Sequence, residues 1–239
     1  MAESKKLVFD IETIGEDFDS MDKTTQGALT HWIKKTKKDK EEYQIALEDI
    51  KNRLGLSPLT GEIVAIGVLD CNKNKGVVYY QSPGTGEEET QEKNITFKPM
   101  PEKEMLENFW KGVKDYQEFI SFNGRAFDVP FLMARSAVHR IKPSKNLMSN
   151  RYLNSQIYGA KHVDLLDQLT FYGAVRQKGS LHLWTRALGI KSPKANGVTG
   201  DDVSTLFKEK KFLRIAQYNV GDLYATKAVY EYWEKYLKM

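Results

Sequence analysis

The alternation of hydrophobic and polar positions predicts a chain that begins with strands and surrounds them with helices. The apolar run from Leu7 to Ile11, which contains one acid, is typical of a buried strand. Residues 62–70 and 76–81 predict a hairpin, residues 82–96 a surface loop, and residues 118–122 a further strand. Helical periodicity is found in residues 27–54, 101–115, 128–139, most of 163–190 with breaks at Gly173 and Gly179, and 211–237. This order of elements predicts an α/β fold.

Composition and length indicate one soluble domain. The chain has 239 residues, of which 41% are hydrophobic and 28% charged, so it can bury a core without disulfides. Cys71 is the single cysteine, which favours a reducing compartment. The N-terminus does not resemble a signal peptide, and no run approaches the roughly 18 apolar residues of a membrane span. We therefore expect a cytoplasmic location, no membrane contact, and a single domain over 1–239 with a helical insertion at about 16–57. The net charge of +4 is compatible with a nucleic-acid partner but does not by itself indicate one.

The first candidate site feature is the pair Asp10 and Glu12 in VFDIET. Residues i and i+2 of a strand point to the same face. Two ionised acids on an apolar face require a cation or hydrogen bonds. The alternative is a strand end at the surface, where both acids face water.

The second feature is the segment FNGRAFDVPFL, residues 122–132. Asn123 and Gly124 predict a turn after a strand. Asp128 then lies where a helix begins, and Pro130 suits the first helical turn. The alternative for Asp128 is a helix N-cap, a role that would not exclude a second one.

The third feature is Tyr218 and Asp222 in AQYNVGDLYAT. At a spacing of i and i+4 they share one face of a late helix. The alternative is an ordinary surface pair on an amphipathic helix. Gly221, beside Asp222, is a poor helix former and predicts a weak point in this helix.

Together these three features resemble the DEDDy 3′-5′ exonucleases. The likeness is to the proofreading exonuclease domain of B-family DNA polymerases in its stand-alone form, and SPLTGEIVAIGVL is similar to the second strand of that family with its lead-in. The order of elements is similar from residue 5 to residue 237. The resemblance implies a ribonuclease H-like fold, in which helices flank a central mixed β-sheet.

The resemblance also implies roles for the site residues. Asp10, Glu12 and Asp222 would hold one divalent ion, and Asp10 would bridge to a second ion that Asp128 assists. Tyr218 would position the attacking water or a phosphate oxygen, and a tyrosine four residues before Asp222 is typical of the DEDDy branch.

Elementary electrostatics favours cations at such a site independently of the resemblance. Four converging carboxylates repel one another, and divalent cations remove that conflict. Oxygen ligands favour Mg²⁺ or Mn²⁺. Zinc is not indicated, because the four histidines are scattered: His31, His139, His162 and His182.

Weaker signals have a structural and a functional interpretation. Asn123 can contact the terminal nucleotide or brace its turn, and we favour the turn slightly. Phe9 and Phe127 can stack on a base but suit a buried core better, as does Trp184. Asp164 and Asp167 are expected to be helix caps or surface groups. The lysines of residues 34–40 are expected to form a solvated helix face that pairs with Glu41 and Glu42.

The expected function is 3′-5′ exonuclease activity on single-stranded or frayed DNA, which releases nucleoside 5′-monophosphates. The expected partners are a nucleic acid with a free 3′ end and a DNA polymerase or a replication or repair complex. The alternatives are a 3′-5′ exoribonuclease and a non-catalytic nucleic-acid-binding or polymerase-accessory module. A third is an exonuclease-like structural subunit of a larger complex, for which residues 16–57 would be the docking surface.

Overall fold

A seven-stranded mixed sheet forms the centre of the protein, a computed structural model of which describes residues 4–191 and 199–238. The strand order is β4-β5-β3-β2-β1-β6-β7. Strand β1 is antiparallel to β2 and parallel to β6, and β6 is parallel to β7. The strands are β1 (Lys6–Gly15), β2 (Gly61–Asp70), β3 (Lys75–Tyr80), β4 (Thr90–Glu92), β5 (Ile95–Pro99), β6 (Glu118–Ser121) and β7 (Lys161–Asp164).

Helices cover both faces of this sheet, which confirms the predicted α/β, ribonuclease H-like fold. One core lies between the sheet and the long helix α8 and includes Val8 and Leu223. The other lies under α3 and α4 and includes Phe9 and Phe131. The helices are α1 (Lys23–Thr36), α2 (Lys40–Arg53), α3 (Glu102–Gly112), α4 (Asp128–Val138), α5 (Leu165–Leu169), α6 (Leu181–Ala187), α7 (Val203–Lys208) and α8 (Phe212–Tyr236).

Three predicted segments differ from the structure. The loop predicted at residues 82–96 contains β4 and the start of β5, whose short lengths leave too little pattern to read. The region predicted as mainly helical, 163–190, begins inside β7, which pairs with β6 and is almost wholly buried. The helix predicted at 27–54 is two helices, because Asp39 caps α2 by accepting hydrogen bonds from two of its first backbone N–H groups.

Helices α1 and α2 lie within the predicted insertion at about 16–57 and pack at the end of β1. Ile33 is fully buried there, and Leu54 is almost so. The chain comes close enough that a Cβ on Gly55 would lie 2.9 Å from the backbone N of Gly15. The segment therefore packs directly on the strand that carries Asp10.

Over the described residues, no helix combines the length and the apolar character that crossing a bilayer requires.

Candidate active site

Strand β1 directs Asp10 and Glu12 to the face that α8 covers. Both acids lie on the same strand face as Val8, which belongs to the core under α8, whereas Phe9 and Ile11 point to the other face. Glu12 is 7% exposed and Asp10 is half-buried, so the alternative of a freely solvated strand end is wrong. The register with β2 shifts between Glu12 and Thr13, so the regular ladder is interrupted beside the acids before pairing resumes at Thr13.

Helix α8 supplies Asp222 and Tyr218 to the same place. One carboxylate oxygen from each of Asp10, Glu12 and Asp222 lies within 4.8 Å of the others. The Tyr218 hydroxyl lies close enough to the Asp222 carboxylate that the negative charge of this acid helps to raise the pKa of the tyrosine. The helix continues unbroken through Gly221, so the predicted weak point does not interrupt it.

Asp128 reaches the acids from the opposite side of β1. It is 3% exposed, and its Oδ1 accepts a hydrogen bond from the Ile11 backbone N–H at 3.0 Å. Asp128 is the first residue of α4 and the N-cap position is Phe127, so the N-cap interpretation of Asp128 is wrong. Its carboxylate is not part of the group within 4.8 Å, but it adds to the repulsion that Asp10 experiences.

The carboxylates strongly favour binding protons when no cation is present. Burial, and then repulsion by the neighbouring acids, raises the pKa of Asp10 well above its usual range. Burial and Asp222 do the same to the pKa of Glu12, which an Asn219 hydrogen bond partly offsets. Burial is also the main cause that raises the pKa of Asp128, to about 7. The structure has therefore brought anionic groups together at an electrostatic cost that a bound cation would remove.

Two further residues belong to this site and were not identified from the sequence as parts of it. Asn219 is fully buried, and its Nδ2 donates to Asp10 Oδ2 at 2.8 Å. Asp164 is 3% exposed and accepts hydrogen bonds at 2.9 Å from the backbone N–H groups of Asn123, Arg125 and Leu166. The cap predicted for Asp164 exists, through Leu166, but the surface position is wrong because this carboxylate also holds the turn that leads to Asp128.

The two residues considered for substrate contact, Asn123 and Phe127, both lie in this turn. Asn123 has a left-handed backbone with φ of 65°, and its carbonyl accepts from the N–H groups of Ala126 and Phe127. This geometry supports the bracing role. The half-buried Phe127 ring packs on Phe131 with 5.2 Å between centroids, as a core role predicts. Substrate contact by either residue stays a prediction.

The other weak signals lie outside the acidic group. Phe9 is buried in the core, whereas Trp184 is half-buried and its indole N–H donates to the Lys178 carbonyl at 2.8 Å. Asp167 forms an ion pair with Arg151. The lysine-rich stretch at residues 34–40 is largely exposed, as predicted, and Lys37 pairs with Glu42 at 3.5 Å. It spans the junction between α1 and α2, so the prediction of one helix face is wrong.

A mixed sheet on which acids from β1, α4 and α8 come together defines the class of protein, an α/β domain with a candidate acidic metal site. A family model described as a predicted 3′-5′ exonuclease related to the exonuclease domain of PolB matches residues 59–237, and the chain belongs to this family. A search of curated proteins found no match. The matched range includes Asp128, Tyr218 and Asp222 and begins after β1, so Asp10 and Glu12 join the site through the fold rather than through the match.

Proposed function

We propose that the protein is a DEDDy 3′-5′ exonuclease that hydrolyses terminal phosphodiester bonds of single-stranded or frayed DNA and releases nucleoside 5′-monophosphates. The observation that carries this proposal is the group of carboxylate oxygens from Asp10, Glu12 and Asp222 within 4.8 Å of one another. Residues from opposite ends of the chain meet there, which a purely structural role does not require.

The donor set fits divalent cations. Within residues 4–191 and 199–238, no lysine or arginine forms an ion pair with Asp10, Glu12 or Asp128. Hard carboxylate oxygens favour Mg²⁺ or Mn²⁺, and Asp10, Glu12 and Asp222 would hold the first ion. Asp10 and Asp128 would hold the second. When bound, two such ions stabilise charge on the phosphate and lower the pKa of the attacking water.

Tyr218 acts in this proposal as a hydrogen-bond donor. Burial and the nearby acids raise the pKa of Tyr218 far above its usual range, so its hydroxyl keeps its proton at neutral pH. A protonated hydroxyl beside Asp222 can orient water or a phosphate oxygen but cannot accept a proton from either as a base. Its contribution is therefore positional.

The proposed substrate is a nucleic acid with a free 3′ end, which a polymerase or a replication or repair complex in the cytoplasm would supply. The chain would form a single domain over 1–239, and the insertion at residues 16–57 would be the surface on which such a complex docks. The intact acidic group argues against a non-catalytic accessory module. An exoribonuclease shares the same chemistry, so matched oligonucleotides must separate DNA from RNA.

The test is a digestion of 5′-labelled single-stranded DNA and of RNA with the same sequence, in Mg²⁺, Mn²⁺ or EDTA. We expect a ladder of products shortened from the 3′ end with either metal and intact substrate in EDTA. Asp10→Ala should abolish the ladder, whereas Glu16→Gln, which changes an exposed acid just after β1, should not. Undiminished digestion by Asp10→Ala would refute the site. Faster digestion of RNA would replace the DNA assignment with the exoribonuclease.

A further inference from the structure

Asn219 is a buried amide that links α8 to the acids of β1. It follows Tyr218 in the chain and lies three residues before Asp222, so it shares the helix that carries both. Its Nδ2 donates to Asp10 Oδ2 at 2.8 Å, and the same amide is close enough to Glu12 to offset part of the rise in the pKa of that carboxyl. One neutral amide donor thus lies beside two acids of the site.

Gly67 on β2 provides the space that this amide occupies. In the antiparallel register Gly67 lies directly opposite Asp10, so a side chain there would project onto the same face. A Cβ at Gly67 would lie 1.8 Å from Asn219 Oδ1 and 2.8 Å from Leu223 Cδ1. Since the backbone of Gly67 is outside the left-handed region, the amide of Asn219, rather than a special conformation, requires glycine here.

The orientation of the Asn219 amide is fixed by packing rather than by a hydrogen bond to its oxygen. Asn219 Oδ1 is buried and has no hydrogen-bond partner among the described residues. Rotating the amide by half a turn would aim this oxygen at carboxylates that, once ionised to bind a cation, accept hydrogen bonds and cannot donate them. The notch at Gly67 thus accommodates the oxygen and leaves the N–H donors directed at the acids.

We propose that Asn219, seated in the notch at Gly67, is a positioning residue that orients the Asp10 and Glu12 carboxylates for divalent-cation binding. This inference rests on the proposed function. An N–H donor occupies one lone pair of Asp10 and fixes the plane of the carboxylate, while the remaining lone pairs stay available to a cation. Fixing the ligands in advance strengthens cation binding, because less side-chain freedom is lost when the ion binds.

The first test measures Mn²⁺ binding by calorimetry without nucleic acid, together with kcat and KM. We expect Asn219→Ala to weaken Mn²⁺ binding by about 10-fold or more, in the range of losses caused by removing partners of metal ligands. Its kcat should fall while KM for the oligonucleotide stays close to the wild-type value. The matched control is Asn108→Ala, a helical asparagine whose side chain bonds the Glu104 carbonyl of its own helix. Unchanged Mn²⁺ affinity in Asn219→Ala would overturn the proposal.

The second test is a double-mutant cycle with Gly67→Ala. Alone, Gly67→Ala should displace the amide, lower the thermal midpoint and weaken Mn²⁺ binding. Added to Asn219→Ala it should lower the midpoint far less, because the smaller side chain leaves room for the new Cβ. If the two substitutions lower the thermal midpoint additively, the proposed packing of Asn219 against Gly67 (the interlock) is contradicted. If Gly67→Ala does not fold, recovery of folding in the double variant supports the proposal, and failure of the double variant to fold refutes the interlock.

Failure of this inference is distinguishable from failure of the nuclease proposal. If wild type binds Mn²⁺ without degrading any oligonucleotide, the proposed function fails and Asn219 is still judged by the calorimetry. If wild type degrades DNA and Asn219→Ala matches it in both measurements, only the positioning role fails.

Discussion

The backbone N–H of Ile11 donates to Asp128 Oδ1 at 3.0 Å, across 117 positions of the chain. Strand β6 pairs with β1 from Lys6 to Val8, so the N–H of Ile11 lies beyond that ladder. The Asp128 side chain takes the place of the missing strand partner. One carboxylate thus both completes the backbone bonding of β1 and adds charge beside Asp10.

These two roles of Asp128 can be separated by substitution. Asp128→Asn keeps an acceptor oxygen for Ile11 and removes the charge, whereas Asp128→Ala leaves a buried N–H without a partner. We expect the Ala variant to be less stable than the Asn variant by about 1–3 kcal/mol in urea unfolding with EDTA. Both variants should lose most nuclease activity. Equal stability of the two variants would show that the hydrogen bond from the Ile11 N–H to Asp128 does not stabilise the fold.

The raised pKa values predict how the stability of the metal-free protein depends on pH. The pKa of Asp128 is about 7 in the folded protein against 3.8 as its ordinary value. Between these values the folded state binds a proton that the unfolded chain has released, so stability falls as pH rises from about 4 to 7. Each proton held in this way changes stability by up to about 1.4 kcal/mol per pH unit. Asp10 and Glu12 act in the same direction.

The test compares the free energy of unfolding of Asp128→Asn with that of wild type, in EDTA, from pH 4.5 to 8. The difference should grow in favour of the variant as pH rises. Saturating Mn²⁺ should reverse the trend for wild type, because the cation binds the ionised carboxylates. A flat difference across this range would mean that Asp128 is ionised throughout in the folded protein.

Periodicity explains which parts of the site could be predicted from the sequence. The i, i+2 spacing of a strand placed Asp10 and Glu12 on one face, and the i, i+4 spacing of a helix did the same for Tyr218 and Asp222. Asn219 has no such signal, because a lone asparagine in a helix is ordinary. Its contacts, Asp10 on β1 and Gly67 on β2, are distant in the sequence. Strand β7, which ends at Asp164, has only four residues, too few to show a period.

Tyr218→Phe is expected to lower kcat without removing a metal ligand. The change removes the hydroxyl that the proposed function assigns to orienting water or a phosphate oxygen. Loss of a hydrogen bond to such a charged group, about 1.5–3 kcal/mol, corresponds to roughly 10–150-fold in rate. Mn²⁺ affinity should change little. Asp222→Asn should instead weaken Mn²⁺ binding and abolish turnover. The matched control is Tyr224→Phe, a half-buried tyrosine of the same helix that packs on the core. A loss in Tyr218→Phe as complete as that in Asp222→Asn would exclude a purely positional role.

Asp164→Ala is expected to loosen the turn that leads to Asp128, although Asp164 lies outside the acidic group. The Asp164 carboxylate accepts from three backbone N–H groups, two in the turn after β6 and one at the start of α5. Removing it leaves buried donors unpaired, which should destabilise the protein by about 2–4 kcal/mol when the donors relax partly towards solvent. Nuclease activity should fall because the turn that positions Asp128 loosens. Asp167→Ala, which removes the neighbouring ion pair with Arg151, provides the control and should change stability by no more than about 1 kcal/mol. Urea unfolding with EDTA and initial digestion rates would measure both effects, and an Asp164→Ala protein as stable and active as Asp167→Ala would show that the turn holds its shape without this carboxylate.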